Sequence, residues 1–154
     1  VDSDTQIRLA DPRDIDAIAE FNMAMAWETE HVLLSRDTLI RGVGEVFARP
    51  EHGFYIVAET DGQVVGCLLV TFEWSDWRCG QFWWIQSLYI RPMSRRRGIF
   101  RQLHEFVKAQ ALHQGGVCGI RLYVEQSNHL ARQAYQQIGM RARSYRMYEQ
   151  MLSH

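Results

Sequence analysis

The run PMSRRRGIFRQLHEF, Pro92 to Phe106, sets four arginines about one glycine and then turns directly into apolar residues at helical spacing. A helix that starts after Gly98 leaves its first-turn amides without acceptors inside the helix, and its dipole adds positive potential there. That end receives phosphate readily. Glycine keeps the approach clear of a side chain, and arginine forks add bidentate, charge-assisted bonds. On its own the pattern also describes a solvated basic loop. It matches neither common glycine-rich nucleotide loop, having no second pair of glycines and no Gly-Lys-Ser or Gly-Lys-Thr.

Other chemistry-bearing residues are scattered. Glu28, Glu30, Glu73 and Asp76 are each ordinary surface carboxylates taken singly, but together they suggest a cationic ligand. Trp74, Trp77, Trp83 and Trp84 are concentrated in one stretch. They serve core packing and loop anchoring, or a pocket in which one ring face of Trp74, Trp77 or Trp84 meets an ammonium. Tryptophans on alternate sides of a strand cannot all line such a pocket. Tyr135 reads as a partly buried helix aromatic. The six histidines show no ligand spacing, so no metal site is expected.

These residues need elements to hold them. The pattern predicts a strand at Gln6 to Ala10, then a helix capped by Asp11 and opened by Pro12, with Ile15, Ile18 and Met25 on its buried face. Ser35 caps a second helix carrying Leu39, Val43, Val46 and Phe47, weakened by Gly42 and Gly44 at about 1 kcal/mol each relative to alanine. Two strands around an Asp61-Gly62 turn come next, the second ending near Glu73 or Trp74. QFWWIQSLYI is then a third long strand, expected to be covered on both faces. The helix after Gly98 places Phe100, Leu103, Val107 and Ala111 on one side and stops at Gly115-Gly116. Val117 to Val124 is expected as a strand parallel to Gln81 to Ile90. Asn128 caps a last helix that buries Ala131, Ala134 and Ile138, and RARSYRMYEQML is expected as a closing strand.

No linker, repeat or low-complexity tract divides the 154 residues, so a single α+β domain over 1–154 is expected. With 17 basic and 18 acidic residues the net charge is −1, and nothing global draws the chain to nucleic acid or a membrane. A nucleic-acid patch made of Arg91, Arg95, Arg96, Arg97 and Arg101 would lack a supporting motif. Cys67, Cys79 and Cys118 have no paired spacing, which points to free thiols and a cytoplasmic location. The polar opening VDSDTQ and the absence of a long apolar run predict neither a signal peptide nor a membrane span.

LYIRPMSRRRGIFRQL resembles the acetyl-CoA signature of the GNAT superfamily of N-acetyltransferases. In that signature a strand ending Leu-Tyr-Val leads through a short loop into Arg/Gln-x-x-Gly-x-Gly/Ala and a helix. Arg95 takes the first position, Gly98 the central one, and Phe100 the place usually held by a small residue. RLYVEQSNHLARQAYQQIGM is similar to the family's second half, Asn-x-x-Ala-x-x-x-Tyr-x-x-x-Gly-Phe. Asn128, Ala131, Tyr135 and Gly139 are in register there, and Met140 replaces the aromatic. The resemblance covers essentially the full length. It implies the α+β GNAT fold: a mixed, mostly antiparallel twisted sheet with helices on both faces, splayed between two central parallel strands.

The same resemblance implies a function. Acetyl-CoA would be the co-substrate, held by Leu88, Tyr89 and Ile90 along the split, by the amides of Arg96, Arg97, Gly98, Ile99 and Phe100 beside Arg95, and by Asn128, Ala131 and Tyr135. Acyl transfer to an amine by direct attack needs an oxyanion donor, a proton for the leaving thiolate and a base. By the resemblance, the amide of Leu88 or Tyr89 fills the first role and Tyr135 the second; for the third the carboxylates Glu73, Asp76, Glu28 and Glu30 stay open, Glu73 first among them. Glu28, Glu30, Trp74, Asp76, Trp84 and Gln86 are the expected acceptor-binding residues. The acceptor is a primary amine of a small molecule or peptide, its identity unread, and a homodimer stays open. A non-catalytic acyl-CoA sensor is the alternative.

Overall fold

The computed structural model describes residues 4–152. Residues 1–3, the start of the polar opening run, and residues 153–154, with His154, lie outside the described part. The described chain separates into two compact units, Val1–Tyr123 and Val124–His154.

The first unit is a five-stranded sheet in the order β1-β2-β3-β4-β5 with three helices. β1 (Thr5–Leu9) leads to a 3-10 turn at Pro12–Asp14, closed by a capping box between Asp11 and Asp14, and then to α1 (Ile15–Glu30). Ser35 caps α2 (Arg36–Ala48) by accepting from the Thr38 amide. β2 (Phe54–Thr60) and β3 (Gln63–Ser75) form the hairpin around Asp61-Gly62, where both residues take positive φ as the tight turn demands. β4 (Gly80–Ile90) pairs antiparallel with β3 and parallel with β5 (Val117–Leu122), and α3 (Ile99–Gln114) makes the crossover.

Strand alternation distributes the core over two layers. Ile56, Leu68, Val70, Trp83 and Ile85 point to one face, where they pack with Ile99, Leu103, Val107 and Ala111 of α3. Tyr55, Val57, Cys67 and Tyr89 point to the other, against Ile18 and Phe21 of α1 and Val43 of α2. The helices therefore cover both faces, as the resemblance implied.

One position breaks the rhythm of β4. Trp83 and Ile85 face α3, yet Tyr89, also odd-numbered, faces α1. The inversion comes from a bulge. The β3–β4 register slips between Cys67 and Leu69, and Ser87 sits at φ 51°, so one extra residue enters β4 and the parity of everything after it flips.

The second unit carries α4 (His129–Gln137). Asn128 caps it by accepting from the Ala131 amide, and it closes where the Met140 amide reaches the Tyr135 carbonyl. Two expectations fail here. Ala131, Ala134 and Ile138 are half-buried, and no residue of α4 is fully buried. The closing strand is absent: residues 141–152 form neither helix nor strand and stay exposed. Their sequence explains it, because the adjacent pairs Met147-Tyr148 and Met151-Leu152 give neither face of a strand a consistent apolar set. No helix among the described residues is long and apolar enough to cross a membrane.

Candidate active site

The bulge at Ser87 does more than flip side chains. The parallel ladder between β4 and β5 ends at Ile85 opposite Leu122, while β4 runs on to Ile90. For the same reason β5 stops at Leu122, short of the Val124 expected from sequence: its partner has turned away. Beyond Ile85 no strand among the described residues pairs with the β5 side of β4. Which groups face the opening is set by alternation. The Arg91 amide donates to the Val65 carbonyl of β3, so Tyr89, two residues back, also turns its backbone toward β3. Leu88 and Ile90 then direct theirs toward the open side. The Ile90 carbonyl is taken by Arg95 Nε at 2.7 Å.

The strand leads straight into the basic loop. Pro92–Ser94 form a 3-10 turn, Arg96 adopts φ 64°, and Gly98 stands at the N-cap of α3 with φ 79°, a conformation that a side chain would strain. Gly98 offers no capping side chain, and the first backbone bond of α3 is Gln102 N–H to the Gly98 carbonyl at 3.1 Å. The amides before Gln102 lie in the turn that has no acceptor within the helix. Phe100 is half-buried, with its ring centroid 6.2 Å from that of His104, one turn farther into α3 and away from the helix start. An open strand edge running into a helix N-terminus behind a positive-φ glycine suits an extended chain ending in a diphosphate.

Of the predicted acceptor-side residues, Glu28, Glu73, Trp84 and Gln86 fall into two groups on the α1-facing side of the sheet. In the first, Glu28 of the last turn of α1 accepts from Tyr89 Oη at 2.8 Å and from Arg95 Nη2 at 2.9 Å. Burial raises the Glu28 pKa, but the Arg95 and Tyr89 hydrogen bonds outweigh it and the net shift is downward. Tyr89 moves upward through burial and the same bond. Glu30, two residues on, is exposed.

In the second group Glu73 Oε1 accepts from Arg121 at 2.9 Å and from Trp84 Nε1 at 3.0 Å. The Arg121 guanidinium lies 3.5 Å from the centroid of Phe82, and Trp84 stacks on Tyr123 at 4.6 Å. Gln86, exposed, donates to Thr71. Arg121 and Tyr123 were not singled out from sequence; only the parallel register of β5 on β4 puts them beside Trp84.

Some residues expected together are apart. Trp74 comes directly after Glu73 and so faces the opposite side of the sheet from Trp84, and Asp76 sits exposed in the β3–β4 turn. Glu73 pairs with Phe82, six residues before Leu88 on β4, roughly 20 Å along the strand. In the second unit Asn128 commits its side-chain oxygen to capping α4, and Tyr135 is half-buried with its phenol pKa pushed up by that burial.

The model of the acetyltransferase (GNAT) family matches residues 14–140. The chain belongs to that family. Among solved structures it is similar to a possible acetyltransferase from Clostridium difficile 630, at 39% identity and TM-score 0.88, covering 97% of this chain and 99% of that one. It is also similar in fold to a predicted acetyltransferase from Clostridium acetobutylicum with acetyl-CoA, at 19% identity and TM-score 0.77, covering 97% and 98%. A third likeness in fold is to an aminoglycoside N-acetyltransferase in complex with CoA, at 14% identity and TM-score 0.76, covering 96% and 94%. No curated protein matches the chain.

Proposed function

We propose that this protein transfers an acetyl group from acetyl-CoA to a primary amine of a small molecule or peptide, by direct attack through a tetrahedral intermediate, as one domain over 1–154. The observation that carries the reading is the end of the β4–β5 ladder at Ile85, which leaves the strand to Ile90 open on one side and runs it into the Gly98-capped start of α3. Family membership and the acetyltransferases among its structural likenesses support acyl transfer as the chemistry.

Acetyl-CoA supplies the activated acyl group as a thioester. Leu88 and Ile90 would pair with its pantetheine arm as a neighbouring strand does, and the amides after Arg96 would take its diphosphate, with Asn128 and Ala131 of α4 as further contacts by family register. The Leu88 amide is the better placed of the two oxyanion candidates, because Tyr89 turns its own toward β3. Tyr135 would protonate the departing thiolate; raised above 10, its phenol keeps its proton at neutral pH. A primary ammonium of pKa near 10.4 must lose a proton first. Glu73 would take it through bridging water, given its distance along the strand from Leu88. The acceptor would lie on the α1-facing side, near Gln86 and Trp84 with Glu28 and Glu30 beyond; Trp74 and Asp76 would contact only an acceptor that extends to the β3–β4 turn.

The test is release of free CoA from acetyl-CoA by purified protein across polyamines, aminoglycosides, amino acids and peptide N-termini. Amine-dependent thiol release is expected with at least one class. CoA binding without release from any amine would instead favour an acyl-CoA sensor.

A further inference from the structure

Arg95 stands first in the basic loop, yet its guanidinium is already held. Nε donates to the Ile90 carbonyl at 2.7 Å, Nη2 to Glu28 Oε2 at 2.9 Å, and the head lies 5.3 Å from the centroid of the Tyr89 ring. Glu28 Oε1 accepts the Tyr89 hydroxyl at 2.8 Å. One carboxylate thus ties the last turn of α1 to the open strand and to the loop before α3. The planar fork that meets a carboxylate is the same one that meets a phosphate, so the two anions compete for it.

The position of Glu28 sharpens the competition. It lies in the last turn of α1 together with Glu30, and no basic residue shares that turn. The negative end of the helix dipole disfavours both carboxylates there. Arg95, from outside the helix, is the cation that offsets Glu28. Both partners are partly exposed, at 44% and 38% of their side chains, so an arriving anion has access to the pair.

We propose that Glu28 is a positioning residue acting through Arg95: it is a resident anion that a diphosphate must displace, so that filling the phosphate loop loosens the last turn of α1. The proposal rests on the reading of the loop as the CoA diphosphate site. Its consequence is an order of events. The segment at 31–34 after α1, whose apolar side chains are exposed, changes its tether only once the loop is filled.

Calorimetric titration of CoA into wild type, E28Q, R95Q and E28Q/R95Q tests it, together with amide hydrogen exchange over residues 25–31. Glutamine keeps the shape and one acceptor oxygen, enough for Arg95 or Tyr89 but not for both, and carries no charge. E28Q should therefore bind CoA about 3- to 10-fold tighter than wild type, and the gain should vanish in the R95Q background. Exchange in the last turn of α1 should quicken when wild type binds CoA and should already be fast in R95Q alone. A structural brace would give the opposite sign, weaker binding in E28Q. Wild-type binding with E28Q unchanged or weaker, or with exchange unmoved by CoA, overturns this proposal alone. No CoA binding by wild type overturns the phosphate-loop reading as well. The wild-type exchange measurement needs no variant, so the test stands even if a substitution fails to fold.

Discussion

Tyr135 and Glu73 carry different kinds of risk at the scale of single residues. A thiol of pKa about 8.5 is a fair leaving group without help, so removing its acid should cost toward the low end of general acid catalysis. Tyr135→Phe is expected to lower kcat about 10- to 100-fold while CoA affinity in a binding assay stays within about twofold. Because burial raises the phenol pKa from its ordinary value, any loss of activity assignable to its ionisation should begin at higher pH than for an exposed tyrosine. Glu73 already accepts two bonds at one oxygen, from Arg121 and Trp84. Glu73→Gln should lower amine-dependent turnover and leave CoA binding unchanged. If turnover in steady-state assays is unaffected, Glu73 is only the partner of Arg121. Gly98 and Asn128 were legible in the sequence because their spacing places them at helix starts, whereas Arg95 was placed by the family resemblance. Arg121 and Tyr123 were not, since nothing within β5 states which strand lies beside it or in what register.

Elements show where local pattern suffices and where it stops. α1, α2, α3 and the Asp61-Gly62 hairpin are dictated by caps, turn residues and apolar spacing, and the observed bounds fall close to those expected. The bulge at Ser87 does not announce itself, because a serine in a long aromatic strand looks ordinary, yet it inverts the faces of β4 and opens the site. Gly53 and His104 make the folded elements testable. A Cβ added at Gly53 would stand 2.1 Å from the Val70 carbonyl oxygen with φ at 144°, a collision with backbone that no rotamer relieves. Gly53→Ala should destabilise the protein by about 2–4 kcal/mol in denaturant titrations. In α3, His104 is buried, Nδ1 has no hydrogen-bond partner among the described residues, and burial lowers its pKa despite the nearby Glu105. A lowered histidine pKa means the unfolded chain binds the proton first. Stability from this group is then full above about 6.5 and is lost as pH falls below it. His104→Met should flatten that acid slope in thermal scans between pH 7 and 5. An unchanged slope would show that other groups set it.

For the molecule as a whole, two matching motifs in order, with strands and helices in sequence around them, were enough to read the family, and the family model spans 14–140. The acceptor was not readable, because its candidate residues come from separate elements and fall into two clusters that only the folded sheet defines. The C-terminal stretch was misread because a run of apolar and polar residues becomes a strand only where a partner ladder accepts it, and residues 141–152 join none. Binding of a co-substrate to the native state alone should raise stability by about 2.7 kcal/mol at 100 times its dissociation constant, or about 5–10 °C in melting temperature at this size. The most direct measurement is an NMR titration of the assigned protein with acetyl-CoA, because amide shifts locate the ligand as well as detect it. One-to-one binding is predicted, with the largest shifts at the amides of Leu88, Ile90 and Ile99–Arg101; no binding, or shifts confined elsewhere, would contradict it.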